Sequence, residues 1–216
     1  MVSATSIESE DLNESANLIR KGSENTEDPA LCTTAIFYSI TSTQTGLQGI
    51  ELGNSLIKLA VKKLREEFPT MNAFSTLSPV PGFRNWLLKT LQMSKSNLNE
   101  IITDDEKARI SLAFYGPTDN FFDSLFTALK TNQWAQNEKL RSALETPLMR
   151  LCAKYLYLEK RRNFALDPDA NFHLRNGAAM WRLNWWADLS PRGLTNSCGI
   201  MVNYRLISVW LWNVWS

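Results

Sequence analysis

The chain has 216 residues, 44% of them apolar and 21% charged, with 23 Lys and Arg against 22 Asp and Glu. That mix excludes a wholly disordered chain and favours one globular domain. A net charge of +1 lacks the basic footprint of a nucleic-acid binder. The three cysteines, Cys32, Cys152 and Cys198, are far apart, and His173 is the single histidine. No Cys/His spacing for a structural zinc is present, so the thiols read as reduced cysteines of an intracellular protein. No apolar run reaches the ~18 residues of a membrane span, and the acid-rich start resembles neither a signal nor a transit peptide.

Residues 1–30 are polar and acidic and read as a poorly ordered segment, with a short amphipathic helix around Leu12, Ala16 and Ile19. Thr33 to Ile40 is β-branched and aromatic and predicts a buried strand. A polar loop follows over Ser42 to Gln48. Ile50 to Phe68 has helix period, with Leu52, Leu56, Leu59, Ala60 and Leu64 as its apolar face and Pro69 as its stop. Ala73 to Leu77 predicts a second strand. Strand, helix and strand make a βαβ-like unit with parallel pairing and a right-handed crossover.

Ser78-Pro79-Val80-Pro81-Gly82-Phe83 predicts a rigid turn. Helices are expected over Phe83 to Met93, Asp104 to Phe114, Asn120 to Lys130 and Asn137 to Glu159, the last kinked or split at Pro147. Thr103 or Asp104 is the expected cap of the second of these. Arg161 to Asn171 reads as loop. Ala170 to Leu174 predicts a short strand holding His173, and Asn176 to Ala187 a packed stretch with Trp181, Trp185 and Trp186 at helical spacing. Ser190 to Asn196 reads as a turn and Cys198 to Tyr204 as a strand.

Three features point to chemistry. The stretch Thr45-Gly46-Leu47-Gln48-Gly49-Ile50-Glu51-Leu52-Gly53-Asn54 joins a strand to a helix. Glycines let a ligand approach, and a helix start offers N–H donors to an anion. The same stretch also reads as an ordinary glycine-rich turn, since it is neither GxGxxG nor a P-loop. Ser78 ends a strand at the edge where open α/β sheets bind ligands. It reads equally as a turn serine capping the next helix. His173 is the natural acid/base group, because imidazole titrates near neutrality. Lone histidines also serve as structure. Lys160, Arg161 and Arg162 read as a solvated patch or as a contact for phosphates.

Several stretches together resemble the malonyl-CoA decarboxylase family, in its C-terminal catalytic domain. They are Ala35 to Ile40, Gly46-Leu47-Gln48-Gly49-Ile50-Glu51-Leu52-Gly53, Phe74-Ser75-Thr76-Leu77-Ser78-Pro79-Val80-Pro81-Gly82-Phe83 and Trp86-Leu87-Leu88. Pro147 to Ala153, Tyr155-Leu156, Ala170-Asn171-Phe172-His173-Leu174, Asn176-Gly177-Ala178, Arg182 to Trp185 and Met201-Val202-Asn203-Tyr204-Arg205 continue the series in the family's order.

The resemblance implies an α/β (α+β) fold: a mixed sheet flanked by helices, like the GCN5-related acetyltransferases, with a large helical insertion. It implies decarboxylation of malonyl-CoA to acetyl-CoA and CO2 in fatty-acid metabolism. Ser78 and His173 fall on the family's catalytic pair. Gln48, Gly49, Ile50, Glu51, Leu52, Gly53 and Asn54 fall on the CoA pyrophosphate loop, and Tyr204 lines the site. No metal or separate cofactor is implied, since CoA is part of the substrate. Malonyl-CoA is the expected partner, with no nucleic acid or membrane; the family's homo-oligomers often form through its helical domain, which is missing here, so that assembly does not carry over.

The resemblance implies the mitochondrial matrix, peroxisome or cytoplasm as compartment. It divides the chain into residues 1–30, a catalytic domain over 31–205 and a divergent apolar tail over 206–216. It also marks the chain as truncated at both ends, with the family's helical N-terminal domain and opening strands missing and a sheet edge left open. A non-catalytic CoA-binding remnant and an acetyl-CoA-dependent acyltransferase are the alternatives.

Overall fold

The structure, a computed structural model, describes residues 2–5, 32–38, 52–95, 98, 101–114 and 120–206, with the backbone alone at 2–5 and 52–55. The chain forms two compact units. One holds Met1–Ser78, Phe172–Ala187 and Val202–Ser216, and the other Pro79–Asn171 and Asp188–Met201. Among the described residues, no helix is long and apolar enough to cross a membrane.

The first unit is built on a mixed sheet. Its strands are β1 (Val2–Thr5), β2 (Thr34–Phe37), β3 (Ala73–Thr76), β4 (Ser78–Pro79), β7 (Ala178–Asn184) and β8 (Met201–Leu206). The order is β1-β2-β3-β8-β4, with β7 also paired to β8. β2 and β3 are parallel, joined through helix α1 (Leu52–Glu67), as the βαβ reading expects. β3 and β8 are antiparallel, with Ser75 opposite Arg205. β1 occupies the outer edge of β2, antiparallel, where the sequence predicts a poorly ordered segment and an open sheet edge.

The strands form where β-branched and aromatic residues leave the helix little advantage. Ala35, Ile36 and Phe37 of β2 are buried. Along β3, Phe74, Thr76 and the following Ser78 share the buried face at a period of two, while Ala73, Ser75 and Leu77 are half-buried. α1 buries Ile57 and Val61. Leu56 and Leu59, expected on its apolar face, are 58% and 55% exposed. The buried row runs i, i+4, so a face drawn one residue earlier points outward.

The second unit is helical: α2 (Phe83–Met93), α3 (Asp104–Ala113), α4 (Phe121–Thr131), a 3-10 turn (Gln133–Gln136), α5 (Glu138–Leu158) and α7 (Pro191–Ser197). Its core includes Phe83, Leu87, Leu91, Ile110, Leu125, Leu129, Trp134, Leu144, Leu148 and Leu151. α2 begins at Gly82, whose φ is +90°; a Cβ there would meet the Tyr155 hydroxyl at 3.1 Å. Pro147 neither splits nor ends α5, which runs unbroken for 21 residues. The Ser190–Asn196 turn is instead the start of α7, with Ser190 accepting from the Gly193 N–H at 3.0 Å and Pro191 in the first turn. Lys160–Arg161 and Phe164–Ala165 form a small two-stranded hairpin, β5 and β6, where a loop was expected. Lys160, Arg161 and Arg162 are all exposed.

Two polar devices hold this unit. Arg84 is buried, and its guanidinium donates to the carbonyls of Leu129 (2.9 Å) and Lys130 near the end of α4. Helix ends leave carbonyls without partners, so a cation there meets both need and dipole. At the start of α3, Thr103 and Glu106 form a reciprocal capping box. Arg150 then grips the buried Glu106 carboxylate with bonds of 3.1 and 2.7 Å. Burial alone would raise the Glu106 pKa; Arg150 and the Thr103 N–H outweigh it and hold the group below its ordinary value.

Helix α6 (Pro168–Arg175) starts at Asp167, whose Oδ1 accepts from the Ala170 N–H at 2.8 Å. Pro at the first helical position needs no donor, so the Asp-Pro pair starts a helix here rather than a turn. The expected strand over Ala170 to Leu174 is therefore part of a helix. Burial pushes the Asp167 carboxyl up to about 7, against the pull of the Ala170 N–H and with help from Asp169.

Two outcomes follow. Arg150→Ala strands the Glu106 carboxylate, so chemical denaturation is expected to show a loss of about 2–3 kcal/mol; this lies below the ~3–5 of a fully buried pair because Arg150 is partly solvated. Asp167→Asn keeps the acceptor for Ala170. Asp167 binds its proton more tightly folded than unfolded, so its contribution is full below about pH 4 and is lost as pH rises to about 7. In Asn, pH-resolved melting is expected to lack that fall, on the order of 4 kcal/mol for a shift of about three pH units.

Candidate active site

Ser78 and His173 lie in the first unit, 95 residues apart in sequence, with Ser78 Oγ 3.1 Å from His173 Nε2. Ser78 is 7% exposed and His173 8%. Ser78 is placed by β4, immediately after β3, and His173 by the last turn of α6. Ser78 does not cap the following helix, where Gly82 takes that position.

Aromatic rings enclose the imidazole. Tyr204 of β8 stacks on it with centroids 4.3 Å apart and planes 21° apart, and Phe172 meets it edge-on at 5.1 Å. The end of a helix favours a protonated histidine. Burial outweighs that here and lowers the His173 pKa to about 4. At neutral pH the ring is therefore neutral, with one nitrogen donating and one accepting.

Beyond the pair runs a chain of buried polar contacts. Thr76 Oγ1 lies 3.1 Å from Ser78 Oγ and accepts from the Tyr204 N–H at 3.2 Å. The Thr76 carbonyl accepts from Asn203 Nδ2 at 2.7 Å, and Asn203 Oδ1 accepts from Asn184 Nδ2 at 2.7 Å. A carbonyl can only accept, so the Thr76 carbonyl fixes which way both amides face. Thr76, Asn184 and Asn203 are each at most 3% exposed. Sequence reading found none of the three as site residues. Their only signal is position: Thr76 shares the strand face of Ser78, and the two asparagines sit on the paired strands β7 and β8.

The other expected site residues divide. Tyr204 is at the site, buried, with its ring on His173. Leu52, Gly53 and Asn54 begin α1. Gln48, Gly49, Ile50 and Glu51 lie outside the described residues. Trp181, expected in the core, is 61% exposed on β7, with the Arg205 guanidinium 4.7 Å from its ring centre. A strand alternates its faces, so helical spacing gave the wrong side. Among the described residues, no group of three or more His, Cys, Asp or Glu is arranged to hold a metal ion.

A buried serine hydroxyl against a neutral imidazole is equipped for proton transfer in a water-poor setting. The same chain matches the family model "Malonyl-CoA decarboxylase C-terminal domain" over residues 7–209. It is 55% identical over 182 residues to the mitochondrial malonyl-CoA decarboxylase of Mus musculus, covering 83% of this chain and 36% of that protein. Against the mitochondrial malonyl-CoA decarboxylase of Anser anser anser, identity is 51% over 199 residues, 90% of this chain and 39% of that one. The fold matches the crystal structure of malonyl-CoA decarboxylase from Rhodopseudomonas palustris with a TM-score of 0.72 and 33% identity, covering 97% of this chain and 43% of the other. That from Agrobacterium vitis matches at 0.71 and 32%, covering 97% and 47%. The chain thus spans less than half the length of these relatives. It belongs to the malonyl-CoA decarboxylase C-terminal domain family.

Proposed function

We propose that this chain carries the carboxy-lyase chemistry of its family: malonyl-CoA to acetyl-CoA and CO2, with Ser78 and His173 as the reacting pair. The observation that supports it is the buried 3.1 Å contact between Ser78 Oγ and His173 Nε2 in a chain of this family.

The reaction breaks the bond between the malonyl carboxylate and the adjacent carbon. The electron pair stays behind as a thioester enolate, and that carbon must gain a proton. In the free protein His173 is neutral. A malonyl carboxylate brought beside it favours the charged ring, since an opposite charge raises an imidazole pKa. The imidazolium then holds the proton the carbon needs. Because Ser78 stands on the Nε2 side, the transfer runs through its hydroxyl. Oγ gives its hydrogen to carbon and takes the one from Nε2, leaving His173 neutral again. On this reading the CoA pyrophosphate is held by the first-turn N–H groups of α1 at Leu52, Gly53 and Asn54, and the family pattern adds Gln48 to Glu51. Tyr204 supports the imidazole plane. No further cofactor is invoked, and the names of the relatives favour the mitochondrial matrix.

A second reading is that the chain binds CoA without turnover.

Purified protein given malonyl-CoA is expected to release CO2 and acetyl-CoA, and His173→Asn or Ser78→Ala to lower the rate by about 10²–10⁴-fold. Full turnover in both variants contradicts the assignment. CoA binding by a folded parent with no turnover selects the second reading. Stability gives an independent check on His173. Its folded pKa of about 4 lies below the ordinary 6.5, so its contribution is present above 6.5 and lost as pH falls toward 4. The parent is expected to lose up to about 1.4 kcal/mol per pH unit there relative to His173→Asn, in the sense opposite to Asp167.

A further inference from the structure

We propose that Thr76 is a positioning residue that sets the hydroxyl direction of Ser78; this rests on the Ser78–His173 reading above. The Tyr204 N–H can only donate, and it occupies one lone pair of Thr76 Oγ1 at 3.2 Å. The Thr76 backbone is held from the other side by Asn203 Nδ2 on its carbonyl, 2.7 Å away. Asn203 is held in turn by Asn184. What remains on Thr76 Oγ1 is one proton and one lone pair, facing Ser78 Oγ at 3.1 Å.

A hydroxyl with both can serve either order of hydrogen bonds. With His173 protonated at Nε2, Ser78 accepts from that N–H and rests its own hydrogen on Thr76. With Nε2 bare, Ser78 donates to it, and Thr76 donates to Ser78. The two orders use the same heavy-atom positions. When the Ser78 hydrogen turns from Thr76 to the substrate carbon and is transferred, Nε2 resupplies Oγ and the Thr76 hydrogen swings onto Ser78, which converts the first order into the second. Thr76 thus restricts an otherwise freely rotating hydroxyl to the two settings that the transfer connects. A hydroxyl is required at position 76, and its methyl group is not.

The test compares Thr76→Val, which keeps the shape and loses the hydroxyl, with Thr76→Ser, which keeps the hydroxyl. Steady-state decarboxylation is measured against pH per folded protein, beside Ser78→Ala and His173→Asn. Thr76→Val is expected to lower kcat by about 10- to 100-fold with KM nearly unchanged, and to shift the acid limb of the kcat profile. Thr76→Ser is expected to stay within about 3-fold of the parent with the parent's profile. If Thr76→Val does not fold, Thr76→Ala is read by the same split. A merely structural residue would lower the melting temperature and leave kcat and its pH profile unmoved; that result overturns the inference. If Ser78→Ala and His173→Asn retain full turnover, the underlying reading fails and the inference falls with it. Loss in those two with an unmoved Thr76→Val overturns Thr76 alone.

Discussion

The site depends on keeping an imidazole neutral while a hydroxyl is held against it. His173 is 8% exposed, enclosed by the Tyr204 and Phe172 rings, and lies 3.1 Å from Ser78. Water would stabilise the charged ring; its exclusion lowers the pKa to about 4. The cost of burying a polar ring is offset by the hydrogen bond that Nε2 makes. The same dryness makes the ring responsive, because an anion arriving in a low dielectric is felt more strongly than in water.

The sheet makes that arrangement possible. Parallel β2 and β3 need a helical crossover, so Phe74, Thr76 and Ser78 emerge on one face after α1 returns the chain. Antiparallel β8 then brings Tyr204 alongside: Ser75 Oγ donates to its carbonyl at 3.1 Å, and its N–H reaches Thr76 Oγ1. One strand therefore supplies both the ring that covers His173 and the donor that occupies Thr76. Asn184 and Asn203 close the row from the paired strands. Each side chain in the row from Asn184 to His173 makes a hydrogen bond to the next residue of the row, which restrains the hydroxyl geometry.

Much of this was legible in the residues. β2, α1 and β3 announced themselves through β-branched runs and a helical period, and their parallel pairing followed from connection length. The four helices from Phe83 to Leu158 also stand where spacing put them, and Thr103, one of the two caps expected, starts the second. Local pattern failed where tertiary context decided. Ala170 to Leu174 has strand-like residues, yet Asp167 and Pro168 start a helix there. Trp181 sits at helical spacing from Trp185, but β7 turns it outward. Ser78 and His173 were found by chemical type and family pattern. Thr76 was not, because a strand threonine beside a serine carries no signal until β8 is paired with it.

The most direct measurement uses the fact that His173 is the only histidine in the chain. Nitrogen-15 labelling of histidine gives one imidazole, whose tautomer and pKa can be followed by NMR in the parent and in Ser78→Ala. The ring is expected to stay neutral well below the ordinary value of ~6.5, and its Nε2 resonance to move when the Ser78 hydroxyl is removed. A ring that titrates near 6.5, with a resonance indifferent to Ser78, would contradict it.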